Sequence, residues 1–407
     1  MRPHTALYIS NKHNKPKLIK SLVSGELLPE IDLGEYILFS DITIDKLISE
    51  ERRHGKSALS TLSQKKLQHA SQGERRKALL KHIIAQKPNC IIVDNVFDSL
   101  DVNTQKTIKT ALLELSNSTL IIQICNRKRD VLEFIGNRLQ FDGTKWTKFK
   151  TDVKNDATVK SYFTHKLPQR QANEGFSFSE LIRLRNINLS YEDRPILQNI
   201  NWDIKPGEFW QLMGPNGSGK STILNLISGD NPKGFMQDMV LFDMKKGSGE
   251  SVWDIKKHIG FFSSDMLIGF KRRDSIENMI ISGFYDSIGL YKFPTEVQIK
   301  IAQEWLKVLQ MSSIRNNSFT TLSEGHKRLV LIARAMVKQP PLLILDEPTN
   351  GLDDVDAKLF STLVNKIAQE TDTAILYVSH RHEVGLAPDY IYELIPNEKG
   401  SIGRVVK

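Results

Sequence analysis

The chain has 407 residues, 40% hydrophobic and 25% charged, a balance that suits a globular protein of about two ordinary domains and excludes a fibre or a disordered polymer. No run of 18 apolar residues occurs, and the opening MRPHTALYISNKHNKPK has no apolar core of a secretory leader, so a cytoplasmic protein is expected, at most peripheral to the inner face of a membrane. The net charge of +9 is lopsided: residues 1–180 hold 29 Lys and Arg against 20 Asp and Glu, whereas residues 181–407 hold 27 of each, so the basic N-terminal half could meet an anionic partner such as nucleic acid.

In chain order, the first half offers a short helix ending in LVSGE at 22–26 and a second helix, GERRKALLKHIIAQ, opened by Ser71, Gln72 and Gly73. The apolar strands CIIVD at 90–94 and LIIQIC at 120–125 follow, each carrying a cysteine whose surroundings suit a core thiol rather than a disulfide. Residues 151–180 are polar and carry Pro and Gly, and are expected to link a first domain at 1–150 to a second at 181–407.

The second half begins with the strand-like runs LIRLRNINLSY, LQNINWDIK and FWQLM and then reads GPNGSGKST at 214–222. In Gly214, Pro215, Asn216, Gly217, Ser218 and Gly219 the glycines let successive N–H groups converge on phosphates, and the helix opened by Lys220, Ser221 and Thr222 adds its positive end. Lys220 is expected to reach the β- and γ-phosphates, and the Ser221 hydroxyl to ligate magnesium. Further on, TEVQIKIAQEWLKVLQM sets Val297, Ile301, Trp305 and Leu309 on one stripe that should face a core. The buried strand of LLILDEP delivers Asp346, expected at the magnesium, and Glu347, expected to orient the attacking water. His380, ending TAILYVSH, is placed to contact the γ-phosphate or that water.

The two halves repeat one another. LISGD at 226–230 answers LVSGE at an offset of 204; LSEGH at 322–326 answers ASQGE, and LLILDEPTNGLD answers CIIVDNVFDSLD, both at 252. The first copy is therefore about 48 residues shorter between these points and lacks an upstream sheet. At offset 204, Ser10 to Pro16 stand opposite the glycine loop with Pro16 facing Lys220, and every glycine is missing. Asn95 replaces Glu347 and Asn126 replaces His380, so the first half should not hydrolyse nucleotide.

GPNGSGKST, LSEGH, ILDEP, GLD and VSH in this order resemble the nucleotide-binding domains of the ABC ATPase superfamily, and the resemblance spans both halves. It implies an α/β fold of two P-loop NTPase domains in tandem, the first truncated and degenerate, with ATP and magnesium as cofactors and ATP hydrolysis as the reaction. It further implies that Tyr191 stacks on adenine, that Ser323 and Gly325 belong to the signature loop, and that Asp353 couples the sites. Ser71, Gln72 and Gly73 would complete one composite nucleotide site with the second half's phosphate loop. Ser263 and Ser264 stand where the family has a glutamine, and their hydroxyls could contact magnesium or water; Glu324 adds a negative charge to the signature loop. The serine pair, GSGES at 247–251 and NMIISGFYDSIGLY at 278–291 are similar to tandem ATPases named for molybdenum transport or photorepair. Three functions stay open: the ATPase subunit of an importer with membrane permease subunits as partners, an ATPase acting on nucleic acid or ribosomes, or a slow nucleotide-dependent regulator.

Overall fold

The computed structural model describes residues 3–25, 35–54, 70–150, 162–169, 178–270, 273–380 and 382–407. Two compact units result: Met1–Thr158 with Gly351–Val355, and Val159–Asn350 with Asp356–Lys407.

The first unit runs β1 (Thr5–Tyr8), α1 (Lys15–Val23), β2 (Tyr36–Phe39), α2 (Asp41–His54), α3 (Gln72–Ala85), β3 (Cys90–Asp94), α4 (Val102–Leu115), β4 (Leu120–Cys125), β5 (Asn137–Phe141) and β6 (Trp146–Lys148). Its sheet has the order β2-β3-β4-β1-β5-β6, parallel except at the β5-β6 edge. Because successive strand residues point to opposite faces, Ile91 and Val93 pack with Leu79, Ile83 and Ile108 on one side, while Cys90 and Ile92 pack with Leu22 on the other. Burial on both faces is why CIIVD and LIIQIC read as unbroken apolar runs, and both cysteines are buried thiols, as expected.

The second unit runs β7 (Ile182–Tyr191), β8 (Arg194–Ile204), β9 (Phe209–Met213), α5 (Lys220–Ile227), β10 (Asp238–Leu241), β11 (Met244–Lys245), α6 (Val252–Lys256), β12 (Ile259–Ser263), α7 (Met266–Gly269), α8 (Ile276–Ile281), α9 (Glu296–Val308), α10 (Glu324–Met336), β13 (Leu342–Asp346), α11 (Asp354–Glu370), β14 (Ala374–Ser379), β15 (Tyr390–Ile395) and β16 (Ile402–Val405). The main sheet has the order β12-β13-β14-β9-β15-β16, strand for strand the order of the first unit, and a second, antiparallel sheet β11-β10-β7-β8 is added. The tandem α/β repeat expected from sequence is therefore present in topology. The added sheet carries two Asn-Ile-Asn repeats: Asn186 and Asn199 take left-handed backbone, and the N–H of each donates to an asparagine Oδ1 on the opposite strand, at 2.9 Å in both cases.

Strand register refines the alignment by one residue. Tyr8 lies beside Cys125 as Met213 lies beside Ser379, so Lys15, the first residue of α1, takes the place of Lys220, the first residue of α5. The pairing of Pro16 with Lys220 is thus corrected: an offset of 204 matched the apolar residues of the helix, whereas backbone pairing counts from the strand. β2 answers β12 as well, which divides the missing residues between the segments before and after β2.

Of the expected linker, residues 151–161 and 170–177 lie outside the described residues. Residues 162–169 pack on the second unit: Phe163 and Leu167 are buried, the Leu167 N–H donates to Glu370 Oε2 at 3.0 Å, and Gln339 Nε2 donates to Pro168 O at 2.9 Å. Polarity hid this attachment because two apolar side chains suffice to seat a strap. The α9 stripe is divided: Trp305 and Leu309 are in the core, but Val297 is 51% exposed. Among the described residues no helix is long and apolar enough to cross a membrane.

Candidate active site

Parallel strands bring the site together by their C-terminal ends. Ser263 lies beside Asp346, Asp346 beside Val378, and Ser379 beside Met213, so the residues that follow β9, β13 and β14 emerge at one edge. From β9 the chain enters the loop Gly214–Gly219. Gly217 (φ 80°) and Gly219 (φ 95°) hold left-handed backbone that a side chain resists. A Cβ on Gly219 would come 2.7 Å from Leu197 Cδ2, and one on Gly214 would come 2.6 Å from Ser218 Oγ and 3.0 Å from Leu394 O. Lys220, largely buried, donates from Nζ to Gly214 O at 2.7 Å and Pro215 O at 3.1 Å, folding the loop around its ammonium. Asn216 and Ser221 are exposed. A loop closed to a Cβ at Gly214 and Gly219, a lysine folded into it and a hydroxyl on the first turn of the helix fit a nucleotide's phosphates and a divalent cation.

Glu347 is held through both carboxylate oxygens. Its Oε1 is 2.9 Å from His380 Nδ1, its Oε2 accepts from Asn350 Nδ2 at 2.6 Å, and its N–H donates to Val378 O at 2.9 Å. The residue sits at φ 46°, a conformation costing a non-glycine residue about 1 kcal/mol or more. Burial works to raise its pKa, but the hydrogen bond and charge of His380, then Lys220 and Asn350, leave it below the ordinary value. Asp346 behaves oppositely: burial first, then the adjacent Glu347, push its carboxyl up to about 6 against Lys220 and His380. The two adjacent carboxylates are thereby shifted in opposite directions, Glu347 down and Asp346 up.

The residues expected in signature loops stand at helix starts. Ser323 caps α10, its Oγ 2.7 Å from His326 Nδ1, and Gly325 is required because a Cβ there would fall 2.2 Å from Asp356 Cγ. Glu324 is paired with Lys327 at 2.9 Å, which tempers the added negative charge. Ser71 caps α3 in a capping box with Glu74, and Gly73 packs against Thr104, the counterpart of Asp356. Tyr191 is 44% exposed; Asn231 Nδ2 donates to its hydroxyl at 2.9 Å, and Lys233 Nζ lies 5.2 Å from its ring centroid. Asp353, fully buried, belongs to the first unit: its Oδ2 accepts from Ser10 Oγ at 2.6 Å and the Asn11 N–H at 2.9 Å.

At the equivalent place in the first unit, Lys15 forms an ion pair with Asp94, the counterpart of Asp346. Asn95 repeats the backbone of Glu347 (φ 47°), with its N–H on Ile124 O at 3.0 Å, and its Oδ1 accepts from the Asn126 N–H at 3.1 Å. The scaffold survives, but amides stand where the acid and the imidazole would be.

Two participants were not singled out by motif reading. Asn350 holds Glu347, and Arg328 on α10 donates to Pro348 O and Asn350 O. The repeat carried a signal for the second: at offset 252 Arg328 falls on Arg76, which donates to Val96 O at 3.0 Å and to Asp98 O.

A glycine loop on a parallel strand, a lysine-headed helix and an Asp-Glu pair at the next strand end but one define a P-loop nucleotide-binding domain. Residues 197–350 match the ABC transporter family. The chain is 37% identical over 344 residues to the ABC transporter ATP-binding protein ModF of Escherichia coli (strain K12), covering 80% of this chain and 69% of that protein. It is 29% identical over 329 residues to an ABC transporter ATP-binding protein of Schizosaccharomyces pombe, covering 79% and 67%, and 36% identical over 201 residues to YmeB of Lactococcus lactis, covering 49% and 77%. The chain belongs to the ABC transporter ATP-binding family.

Proposed function

We propose that the second unit binds ATP with magnesium and hydrolyses it, and that the chain has no second competent site. The observation that carries this reading is the double hold on Glu347 by His380 and Asn350 beside Lys220 and Asp346. Magnesium, when bound, neutralises charge on the β- and γ-phosphate oxygens. The loop amides and Lys220 would hold those phosphates, and the Ser221 hydroxyl and Asp346 carboxylate are the groups that would hold the metal. Glu347, ionised and fixed at both oxygens, orients a water toward the γ-phosphorus; His380 aligns Glu347 and is positioned to follow the charge as the bond breaks. A Glu347→Gln variant that binds ATP but turns it over at the wild-type rate would refute this assignment.

A role as the driving subunit of an importer, of the molybdate type, is supported by the family and by the resemblance around the serine pair. Co-purification of membrane subunits with Glu347→Gln in ATP tests it, and their absence would count against it. The basic first half favours a second reading, action on nucleic acid; salt-sensitive binding to RNA or DNA is its signature, and no binding at low salt would refute it.

A further inference from the structure

The serine pair at the end of β12 does two different things. Ser263 lies in register with Asp346, at the edge where the cation would sit. Ser264 is engaged with backbone and guanidinium: its Oγ donates to the backbone carbonyl of Glu347 at 2.7 Å and accepts from Arg328 NH1 at 3.4 Å. The same guanidinium donates to Pro348 O and Asn350 O, so Arg328 and Ser264 between them grip the backbone oxygens of residues 347, 348 and 350. Residue 347 is the strained one, and residue 350 is the one whose amide holds the Glu347 carboxylate. Arg328 stands on α10, five residues after the Ser323 cap.

We infer that Ser264 is a positioning residue for Glu347: its hydroxyl ties the backbone of the general base to the guanidinium of the signature helix, and it does not replace the family's glutamine at magnesium. A hydroxyl has a single proton, and here it is committed to Glu347 O while a lone pair meets a cationic donor. The hydrogen bond thereby fixes the direction in which the carboxylate leaves a left-handed residue and links it to any displacement of α10.

The first unit is a natural control. Register places Asp41 where Ser264 stands, since Ile37 pairs with Ile91 as Gly260 pairs with Leu343. Arg76 repeats the grip of Arg328 on the loop oxygens and adds a bidentate pair to Asp41, Nε to Oδ1 at 2.9 Å and NH2 to Oδ2 at 2.6 Å. A carboxylate held this way has no proton to give to the carbonyl of residue 95. The guanidinium clamp is present in both units, but the hydroxyl donor is present only where a catalytic glutamate follows.

This inference rests on the hydrolysis reading, and the test separates the two. Full-length Ser264→Ala, Ser264→Thr and Ser264→Asp are compared with wild type for kcat, KM and the magnesium dependence of ATP binding at equilibrium. A lost neutral hydrogen bond to the base predicts kcat about three- to tenfold lower in Ser264→Ala. KM and magnesium dependence should be unchanged, activity restored in Ser264→Thr, and kcat at least as low in Ser264→Asp as in Ser264→Ala. A weakened magnesium dependence with normal kcat at saturating metal would make Ser264 a metal contact and overturn the inference, as would wild-type kcat in Ser264→Ala or failure of Ser264→Thr to rescue. Absence of Lys220-dependent turnover in the wild type would overturn both readings; turnover with no effect of Ser264→Ala would overturn this one alone.

Discussion

Lys15 and Lys220 open equivalent helices beneath equivalent sheets, and what surrounds them differs in three respects. Lys220 sits inside a loop whose glycines leave its amides exposed to a ligand; Lys15 follows a glycine-free loop and is paired with Asp94. Beyond the third strand of each sheet, Glu347 is held by His380 and Asn350, whereas Asn95 is held by the Asn126 backbone. The hydroxyl of Ser264 is a carboxylate in Asp41. What is common to both units is backbone: the strand order, the left-handed residue after β3 and β13, and the arginine clamp on the following loop. The same architecture therefore accommodates a glutamate in one unit and an amide in the other, because the clamp and the sheet contact backbone oxygens rather than that side chain.

The comparison can be broken most severely at the catalytic carboxylate. Glu347→Gln should lower ATP turnover about 10²- to 10⁴-fold with ATP binding retained, whereas Asn95→Gln should leave turnover unchanged; steady-state kinetics on both variants reads the contrast. Next in size is the glycine loop. Gly219→Ala forces a Cβ onto Leu197 at a φ of 95° and should abolish nucleotide binding and lower the melting temperature, while Asn14→Ala, which removes the α1 cap on Lys17, should cost only about 1 kcal/mol in denaturant unfolding. Restoring catalytic side chains in the first unit by Asn95→Glu with Asn126→His should create no second site, since the loop before Lys15 still lacks glycine; nucleotide stoichiometry measures this.

The smallest effect is on stability. Asp346 has its pKa raised in the folded chain, so its favourable contribution is complete below the unfolded value of 3.8 and is lost as pH rises through about 6. Asp346→Asn should therefore melt ~2–4 °C above wild type without nucleotide at pH 8, with the difference vanishing near pH 4. Equal melting temperatures at pH 8 would remove the argument that Asp346 is held in wait for a cation.

Much of the candidate site in the second unit was legible because its chemistry needs particular side chains at fixed spacing: GPNGSGKST, Asp346, Glu347 and His380 were readable from the chain alone. The repeat was legible through its apolar strands, since burial on both faces of a parallel sheet leaves a long hydrophobic signature. Three things were not. The pairing of Lys15 with Asp94 depends on a one-residue register that helix periodicity blurs, and only strand pairing resolves it. The seating of residues 162–169 depends on Phe163 and Leu167 alone within a polar stretch. The division of labour between Ser263 and Ser264 depends on which way a chain turns after its last paired residue, which composition does not encode.

The most direct test of the central claim, one competent nucleotide site made around Lys220, is the stoichiometry of ATP binding to the full chain with magnesium, measured by equilibrium dialysis on Glu347→Gln to suppress turnover. The account predicts one ATP per chain, lost on adding Lys220→Met and unchanged on adding Lys15→Met. Two ATP per chain, or loss of binding with Lys15→Met alone, would contradict it.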